Sequence, residues 1–531
     1  LSLSGGSARS NYRVSADYRS ANGIDLYSGR EEYGARVALN HTAKGGLITF
    51  SLNVAPRIAY RKNASWDVFR NAVEANPTTP IMDPKDPSLY YNFKGQAAGY
   101  NPLELLKKDK STGTTKLLDW DGTVKLNLLP LLLNKEDRQT LTTQLTFADH
   151  QYDNYNQWFR PSTSTLAINA GREGEASQDY SKSAIRTLEW VTNYANSFGN
   201  HNFKVMAGYS YQDWKTFVHN TPDYTYDKTL VSTPVYEYDY PQNTLVSFYG
   251  RLNYSLMDRY LFTATVRADG SSRFSKENRW GIFPALALAW RMNQENFLKN
   301  VSWIDDLKLR LGYGVTGQQD GIGNYTYLPF YSLSTNTATY QFGDQYHNML
   351  RPAAYDANIH WEQTATYNVG LDYSFIKGRL SGTLDFYQKK TSDLLNEIPT
   401  PAGANFSNRI LTNVGNISSK GFEFSINATP VQTKRLTWDV SYNISSNSTR
   451  ITKLNAVEVP GYQGVPTGGV TGGTGTNVQI HSVGYAPGTF FVYEQKYDAN
   501  GKPLEGQFVD RHEDGVINEL DKYRTHNPEP K

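Results

Sequence analysis

Much of the chain alternates between apolar and polar residues with a period of two, which is the pattern of a β-strand whose two faces meet different surroundings. Over residues 361–375 the odd positions are mostly apolar or aromatic, and the even positions are mostly polar. The same pattern recurs at 246–256, 307–313 and 436–444. About 16 such segments are present, many of about 9 to 14 residues, close to the length of a tilted strand that crosses a membrane.

The connections between these segments alternate between short and long, so all the long loops leave one end of an antiparallel sheet. In outer-membrane barrels the short turns are periplasmic and the long loops are extracellular. We therefore predict an all-β fold, a transmembrane antiparallel up-and-down β-barrel. The short turns are predicted near 44–46, 134–138, 198–201, 257–259, 377–379 and 430–434, and the connection at 293–305 is expected to hold a helical turn. The long loops are predicted near 22–32, 61–118, 151–180, 216–243, 270–279, 318–358, 396–411 and 453–482.

The composition excludes several other classes of protein. The chain has no cysteine, which excludes disulfides and thiolate metal sites. Its 53 Lys and Arg residues nearly balance 51 Asp and Glu residues, whereas a nucleic-acid-binding protein usually carries a basic excess. A secreted, soluble carbohydrate-binding β protein remains an alternative. Such proteins rarely sustain strands of this length and usually keep large aromatic residues off the solvent face.

Several segments, met in order along the chain, resemble the SusC/RagA class of TonB-dependent outer-membrane transporters. The most specific are Arg-Ala-Asp-Gly-Ser-Ser-Arg-Phe at 267–274 and Leu-Lys-Leu-Arg-Leu-Gly-Tyr-Gly at 307–314. The other matching segments are 4–7, 23–24, 278–284, 289–291, 316–318, 361–362, 367–370, 385–387, 389–395, 413–415 and 420–423.

This resemblance implies part of a 22-strand barrel in a bacterial outer membrane, in contact with its lipid. Residues 1–452 would form barrel strands and loops, and 453–531 an extracellular loop region that leads into further strands. A plug domain and a TonB-contacting segment would precede the chain. The implied function is import of a large nutrient, a glycan fragment or a peptide, together with a SusD-like surface lipoprotein and the TonB complex. No nucleic-acid partner is implied. The alternatives are a passive porin and an outer-membrane β-barrel enzyme, which the sequence upstream of this chain would distinguish.

Residues 510–521 resemble an EF-hand-like calcium loop, in which hard oxygen ligands are spaced around a tight glycine turn. The candidate Ca²⁺ ligands are Asp510, His512, Asp514, Val516, Asn518 and Asp521. His512 is a poor calcium ligand, and Asp521 has a shorter reach than the usual glutamate. The alternative is a turn in which the Asp and Asn side chains accept hydrogen bonds from their own backbone. We predict no other cofactor.

Two further sets of residues are candidates for binding or structural roles. Aromatic residues in the long loops could stack on sugar rings or peptide side chains, or they could belong to the membrane-interface girdle: Trp66, Tyr90, Tyr91, Trp158, Tyr236 and Tyr346. Charged residues at polar positions of the strands should face the lumen and pair with each other or with the plug: Arg251, Arg267, Asp269, Arg310, Glu362, Asp372, Asp385, Glu423 and Asp439. The sequence contains no nucleophile elbow, phosphate loop or His-Glu-x-x-His motif, so no catalytic residue is assigned.

Overall fold

The computed structural model describes residues 1–65, 67–91, 100–132, 139–234, 236–334, 338–400, 407, 409–455, 461–470 and 476–525. Within these residues the fold is dominated by one antiparallel sheet of 19 strands. Contacts divide the chain into two compact units, residues 1–194 with 206–248, and residues 195–205 with 249–531. No helix in the described part of the chain is long and apolar enough to cross a membrane.

The first unit consists mainly of long, consecutive strands. From β1 to β6 each strand pairs with the next in antiparallel fashion. The strands are β1 (Ser2–Gly6), β2 (Ser10–Asn22), β3 (Gly29–Thr42), β4 (Ile48–Asn63), β5 (Lys110–Asn127), β6 (Gln139–Arg160), β7 (Glu175–Phe198), β8 (His201–His219), β9 (Asp223–Tyr224), β10 (Leu230–Ser232), β11 (Tyr238–Asp239) and β12 (Gln242–Leu256), of which β7, β8 and β12 continue into the second unit. The helices are α1 (Asp67–Glu74), α2 (Pro102–Lys108), α3 (Leu129–Leu132), α4 (Thr165–Asn169) and the 3-10 helix Lys44–Gly46.

The second unit combines long strands with small sheets formed by its loops. The long strands are β13 (Tyr260–Ser271), β14 (Trp280–Arg291), β15 (Ile304–Gln318), β20 (Glu362–Phe375), β21 (Leu380–Ser392), β24 (Asn416–Gln432) and β25 (Thr437–Lys453). The shorter ones are β16 (Tyr331–Leu333), β17 (Thr339–Phe342), β18 (Gln345–Asn348), β19 (Leu350–Pro352), β22 (Leu395–Pro399), β23 (Arg409–Asn413), β26 (Val465–Gly469), β27 (Asn477–His481), β28 (Thr489–Tyr493), β29 (Gln495–Tyr497), β30 (Pro503–Phe508) and β31 (Lys522–Arg524), with 3-10 helices Met292–Gln294 and Glu519–Asp521.

The register of the long strands keeps the predicted faces continuous from strand to strand. In β15, β20 and β21, Leu311 lies opposite Val369, and Val369 lies opposite Phe386. Since directly opposed residues share one face of a sheet, these side chains form a single apolar surface. Val369 is 47% exposed and Phe386 is 54% exposed. Apolar side chains that remain exposed on every second position are typical of a lipid-facing surface.

The exposure of the apolar residues in β25 also distinguishes a lipid-facing strand from a strand of a compact two-layer protein, which would bury them. Trp438 is 55% exposed, and Val440 and Tyr442 are exposed as well. The first unit shows the same division, since Phe50, Val124 and Leu145 are aligned on one face, and Asn53 and Asp121 are paired on the other. The predicted all-β, up-and-down antiparallel fold is confirmed.

Many of the buried apolar residues lie at the loop ends of the strands. In the second unit, Phe274 and Trp361 are buried, with ring centroids 5.0 Å apart, and Phe283 packs edge-on against Trp361 at 5.4 Å. A Cβ atom on Gly317 would lie 2.1 Å from the Phe283 ring, so this glycine leaves room for the ring. This packing explains why the segments at 267–274, 278–284 and 316–318 carry these residues. In the first unit a smaller core joins α1 and α2 through Val68, Leu105 and Leu106.

Several predicted loops were too long, including 22–32, inside which β3 begins at Gly29. Strand β6 continues to Arg160 and β7 begins at Glu175, both inside the predicted loop 151–180. Strand β5 begins inside the predicted loop 61–118, and β8 extends into the loop predicted from 216. The alternation fades because both faces of a strand can be polar outside the lipid, whereas the backbone ladder continues. The short strands β9, β10 and β11, of two or three residues, carry no alternation and account for the difference between about 16 predicted strands and the 19 observed.

The short turns predicted at 44–46, 198–201, 257–259 and 377–379 agree with the structure, whereas the turn predicted at 430–434 lies at 433–436, because β24 continues to Gln432. The 3-10 helix Lys44–Gly46 occupies the first predicted turn, with Gly45 and Gly46 at φ of 83° and 71°. The 3-10 helix Met292–Gln294 lies at the start of the connection that was expected to hold a helical turn. The predicted turn at 134–138 lies outside the described residues.

Candidate functional site

An ion-pair cluster crosses three strands on the polar face of the second unit. Arg310 on β15 donates from Nε to Asp372 on β20 at 2.8 Å and from Nη2 to Asp385 on β21 at 2.9 Å. Lys308 Nζ lies 2.6 Å from Asp372, and Asn368 donates to Asp385 at 3.3 Å. All of these side chains are partly buried. The cluster therefore ties β15, β20 and β21 together through charge-assisted hydrogen bonds.

Gly370 makes this cluster possible. It lies opposite both Arg310 and Asp385 in the strand register. A Cβ atom at this position would be 2.4 Å from Asp385 Oδ1 and 2.6 Å from Arg310 Nη2. The absence of a side chain at Gly370 thus leaves space for the Arg310 guanidinium, which reaches from β15 across β20 to Asp385 on β21.

Most of the other charged residues that were predicted to point into the lumen make polar contacts on the same side of the sheet. Arg267 Nε lies 2.7 Å from Asp269, and its guanidinium stacks 5.2 Å from the Tyr249 ring. The remaining contacts are Arg251 to the Thr265 hydroxyl at 3.2 Å, Leu395 N–H to Glu362 at 3.1 Å and the Thr429 hydroxyl to Asp439 at 2.7 Å, and Glu423 lies opposite Asp385 in the register. Their lumen-facing role stays a prediction.

A second charged cluster lines a cavity of about 720 Å³ on the polar face of the first unit. At its centre is the buried Glu32, which accepts hydrogen bonds from Arg57 at 2.7 Å and Arg30 at 2.6 Å. Arg13 and Arg36 also line the cavity. These residues were not among the charges predicted to face the lumen. The available signal was the recurrence of charged residues at alternate positions of β2, β3 and β4.

A chain of five ionic groups joins the loop ends of β5, β6, β7 and β9. It was not predicted from the sequence. Arg160 binds both carboxylate oxygens of Asp109, at 3.0 and 2.8 Å, and contacts Glu175 at 3.0 Å. Glu175 also binds Arg172 at 3.1 Å, and Arg172 binds Asp223 at 2.7 Å. The pKa of Arg172 is raised, chiefly by its hydrogen bond to Asp223. These groups are separated by up to 114 positions in sequence, from 109 to 223, so only the fold brings them together.

The described members of the predicted aromatic set make separate contacts within their own units. Tyr90 lies under the Lys108 ammonium at 5.5 Å, and Tyr91 donates its backbone N–H to Ile81 O. The Arg160 guanidinium lies 4.5 Å from the ring of Trp158. Tyr236 and Tyr346 are 73% and 68% exposed, on different units. Trp66 lies outside the described residues. Their contact with a substrate stays a prediction.

The loop 510–521 is organised around the buried side chain of Asp521. One of its oxygens accepts the backbone N–H of Asn518 at 2.9 Å, and the other accepts those of Arg511 at 2.9 Å and His512 at 3.3 Å. The hydrogen bond from Asn518 is the largest of the contributions that lower the pKa of Asp521. Gly515 adopts a φ of 79°, which suits the tight turn.

The other candidate calcium ligands in this loop also accept backbone hydrogen bonds. Asp510 Oδ2 accepts from Gly515 N at 2.7 Å, and Asp514 Oδ1 accepts from Val516 N at 2.9 Å. Asp510 Oδ1 is buried and has no hydrogen-bond partner among the described residues. In the same part of the chain, no group of three or more His, Asp or Glu side chains is placed to hold a metal ion. Calcium binding by the six candidate ligands of this loop stays a prediction.

Comparisons with known proteins agree with this architecture. A family model described as TonB dependent receptor-like, beta-barrel, matches residues 60–526. TonB-dependent receptor SusC of Bacteroides thetaiotaomicron is 37% identical, over 98% of this chain and 54% of the relative. TonB-dependent receptor P3 of Formosa agariphila is 31% identical, over 93% of this chain and 49% of the relative. The chain spans about half the length of these curated relatives.

Solved structures show the same fold at lower sequence identity. The RagAB peptide transporter has a TM-score of 0.73 at 19% identity, covering 99% of this chain and 57% of the matched chain. The RagAB peptide importer in its closed-closed state has a TM-score of 0.71 at 20% identity, covering 96% of this chain and 57% of the matched chain.

Proposed function

The chain belongs to the TonB-dependent receptor-like β-barrel family of bacterial outer-membrane proteins, and we propose that it forms part of the wall of an energy-coupled importer for large nutrients. The observation that carries the proposal is the division of the strands into two continuous faces. One face exposes Val369, Phe386 and Trp438, which suits lipid. The other face carries the paired charges of Arg310, Asp372 and Asp385, which suits a water-filled lumen.

The paired charges favour a wall that passes polar cargo without holding it tightly. In the ion-pair cluster of the second unit, both cations are bound by carboxylates, so they offer little unneutralised charge to a passing ligand. The neighbouring Thr364, Thr366 and Asn368 are hydrogen-bonding positions on the same face. Such a surface suits a hydroxyl-rich or amide-rich molecule. We propose a glycan fragment as the cargo, with a peptide as the alternative, since the relatives include SusC and a peptide importer.

The partners are proposed on the same basis. A SusD-like surface lipoprotein would cover the loop ends of the strands, and the TonB complex would supply energy from the inner membrane. We propose transport without bond making or breaking. The described residues that cluster by charge are organised as ion pairs, and the sequence contains none of the nucleophile or metal motifs that were sought.

Growth and uptake measurements test the proposal. Deleting the gene should abolish growth on one class of polymer, and a copy of the whole gene should restore it. Uptake of a fluorescent oligomer of that polymer should stop when TonB is deleted or the proton gradient is dissipated. Uptake that continues under both conditions would instead establish a passive porin. Normal growth of the deletion strain on every glycan and peptide source would contradict import as the function.

A further inference from the structure

A second cavity of the first unit lies at the loop ends of β5, β6 and β7 and has a volume of about 690 Å³. Residues 219–228, which include β9, close one side of it. The walls are fixed by neighbouring contacts. Tyr224 pairs with Ala176 of β7, and the Phe159 ring lies 4.4 Å from the Tyr226 ring. The ionic chain from Asp109 to Asp223 ties together the same four strands.

The cavity opens on the same face of β5 and β6 that carries the exposed apolar residues further along these two strands. On this face Val124 lies opposite Leu145, and further along the strands Thr112 lies opposite Gln157 and Lys110 opposite Phe159. On this face the exposed apolar residues Leu145 and Phe147 are followed by the polar Asp149, Gln151 and Asp153, and ten positions separate Phe147 from Gln157. At about 3.3 Å per residue and a tilt of about 45°, this places the cavity roughly 20–25 Å beyond the apolar surface. The cavity is therefore separate from the polar face to which import is assigned.

The residues that line the cavity combine ring surfaces with hydrogen-bonding groups. Phe159 and Tyr224 supply aromatic surface, and Gln157 and Gln178 supply amides. Aromatic rings pack against the apolar faces of sugar rings, and amides pair with their hydroxyls. A cavity of this volume accommodates a ligand of one to a few sugar rings.

The charges around the cavity favour a negatively charged ligand. Among the described residues that line it, the charged ones are Lys110 and Lys228, together with the titratable His219, and none is a carboxylate. Of the nearby carboxylates, Glu175 and Asp223 are neutralised by Arg172, Glu237 lies 3.3 Å from the lining residue His219, and Asp179 accepts a hydrogen bond from the Thr221 hydroxyl. Lys110 Nζ is positioned over the Tyr27 ring at 4.7 Å.

Lys228 adopts a left-handed backbone conformation, with a φ of 70°, in a turn where Lys228 N donates to Thr225 O at 3.0 Å. Glycine or asparagine is favoured in this conformation, so a lysine there carries a conformational cost. Lys228 is exposed and lines the cavity.

We propose that this cavity binds an acidic sugar residue, a uronate or a phosphorylated sugar, through Lys110 and Lys228 and the aromatic walls. The ligand has two sources with this chemistry: a free acidic oligosaccharide, and the acidic sugars of the cell's own surface glycolipid. The site does not depend on the proposed import function, because it lies on the opposite face of the strands.

Calorimetry on the full-length receptor in detergent tests the proposal, with tetragalacturonate and neutral maltotetraose as probes. We expect tetragalacturonate to bind at least about tenfold more tightly than maltotetraose. The double variant Lys110→Gln/Lys228→Gln should lose this preference and leave maltotetraose binding unchanged. Lys215→Gln, at an exposed position outside the cavity lining, is the matched control and should behave as wild type. Lys228→Gly, which relieves the backbone but removes the charge, should also lose affinity.

Native mass spectrometry after incubation with lipopolysaccharide distinguishes the two sources. Bound lipopolysaccharide that is lost in the double variant would assign the site to the surface glycolipid, whereas binding of tetragalacturonate alone would assign it to a free oligosaccharide. Equal affinity for the charged and neutral tetramers, or no saturable binding of either acidic probe by the folded receptor, would overturn the proposal. Growth on the imported nutrient should be normal in the double variant, so failure here leaves the import function standing.

Discussion

Replacing Gly370 by alanine should disrupt the ion-pair cluster of the second unit, because the added methyl group would occupy the space between Arg310 and Asp385. The added methyl group would lie 2.4 Å from Asp385 Oδ1 and 2.6 Å from Arg310 Nη2, distances that atoms do not share without displacement. Both contacted atoms are at the ends of side chains, so we expect these side chains to move and the backbone to stay. The Arg310–Asp385 hydrogen bond at 2.9 Å would be lost, and Arg310 would keep Asp372 as its partner.

The expected magnitude follows from two opposing effects. A hydrogen bond between charged groups contributes about 1.5–3 kcal/mol when its partners are shielded from water, as Arg310 and Asp385 largely are. Alanine in a strand is more favourable than glycine by about 0.5–1 kcal/mol, because glycine loses more backbone entropy on folding. We therefore expect Gly370→Ala to lower the free energy of unfolding by about 1–2 kcal/mol.

Urea unfolding of the receptor in phospholipid vesicles, followed by tryptophan fluorescence, measures this change. Gly312→Ala is the matched control, because its Cβ atom would meet only Asn368 Cβ, at an ordinary 3.7 Å on the same face. The control should be neutral or slightly stabilising. In an Asp385→Ser background, Gly370→Ala should no longer be destabilising, since the bond it breaks is already absent. If both glycine variants have the same effect, or if the serine background changes nothing, the assigned role of Gly370 is wrong.

Three further predictions concern the loop ends of the strands. Hydrogen bonds lower the pKa of Asp521, so the stability that its carboxylate contributes should be present above the ordinary carboxyl pKa of about 3.9 and lost as the pH falls through the lower pKa of the folded state. Asp521→Asn should reduce the hydrogen-exchange protection of residues 476–525 at pH 7 and abolish its dependence on acid pH. Arg160→Gln should increase protease cleavage at 161–174, because it leaves Asp109 and Glu175 without this partner, whereas Arg70→Gln, in an exposed pair, should not. If the 510–521 loop binds calcium, adding about 1 mM CaCl₂, which lies in the affinity range of extracellular calcium modules, should raise the melting temperature. Asp510→Asn should abolish this increase. Equal melting curves in CaCl₂ and in EGTA would show that the loop is a hydrogen-bonded turn without bound calcium.

The faces of the long strands could be predicted from the sequence because lipid and water impose a period of two on each strand separately. Trp438, Val440 and Tyr442 are exposed on the side that the alternation assigned to them. No information about distant residues is needed for this prediction. It fails where the lipid ends, as in β6 beyond Phe147, because the two sides of the strand are then no longer chemically different.

The contacts that organise the two charged faces and the loop ends could not be predicted in the same way. The pairing of Arg310 with Asp385 requires the register of two successive strand pairs, and the contact of Arg172 with Asp223 requires the path of a long loop. Residue type alone identified Arg310 and Asp385 as charged residues on the polar face but gave neither their partner nor the need for Gly370. For the 510–521 loop, the sequence allowed both a calcium loop and a self-bonded turn, and the structure shows the hydrogen bonds of the turn.

Single-cysteine scanning along β20 tests the two-faced wall most directly, since the natural chain has no cysteine and each introduced thiol is unique. Spin labels at positions 364–369 and 371 of the full-length receptor in vesicles would be tested for collision with oxygen, which concentrates in lipid, and with a water-soluble nickel complex. Position 370 stays glycine, because a side chain there would displace Arg310 and Asp385. Strict alternation is predicted, with oxygen favoured at Ala365, Tyr367, Val369 and Leu371 and nickel at Thr364, Thr366 and Asn368. Equal accessibility of the two sets to both reagents, or protection of the odd positions from both, would contradict it.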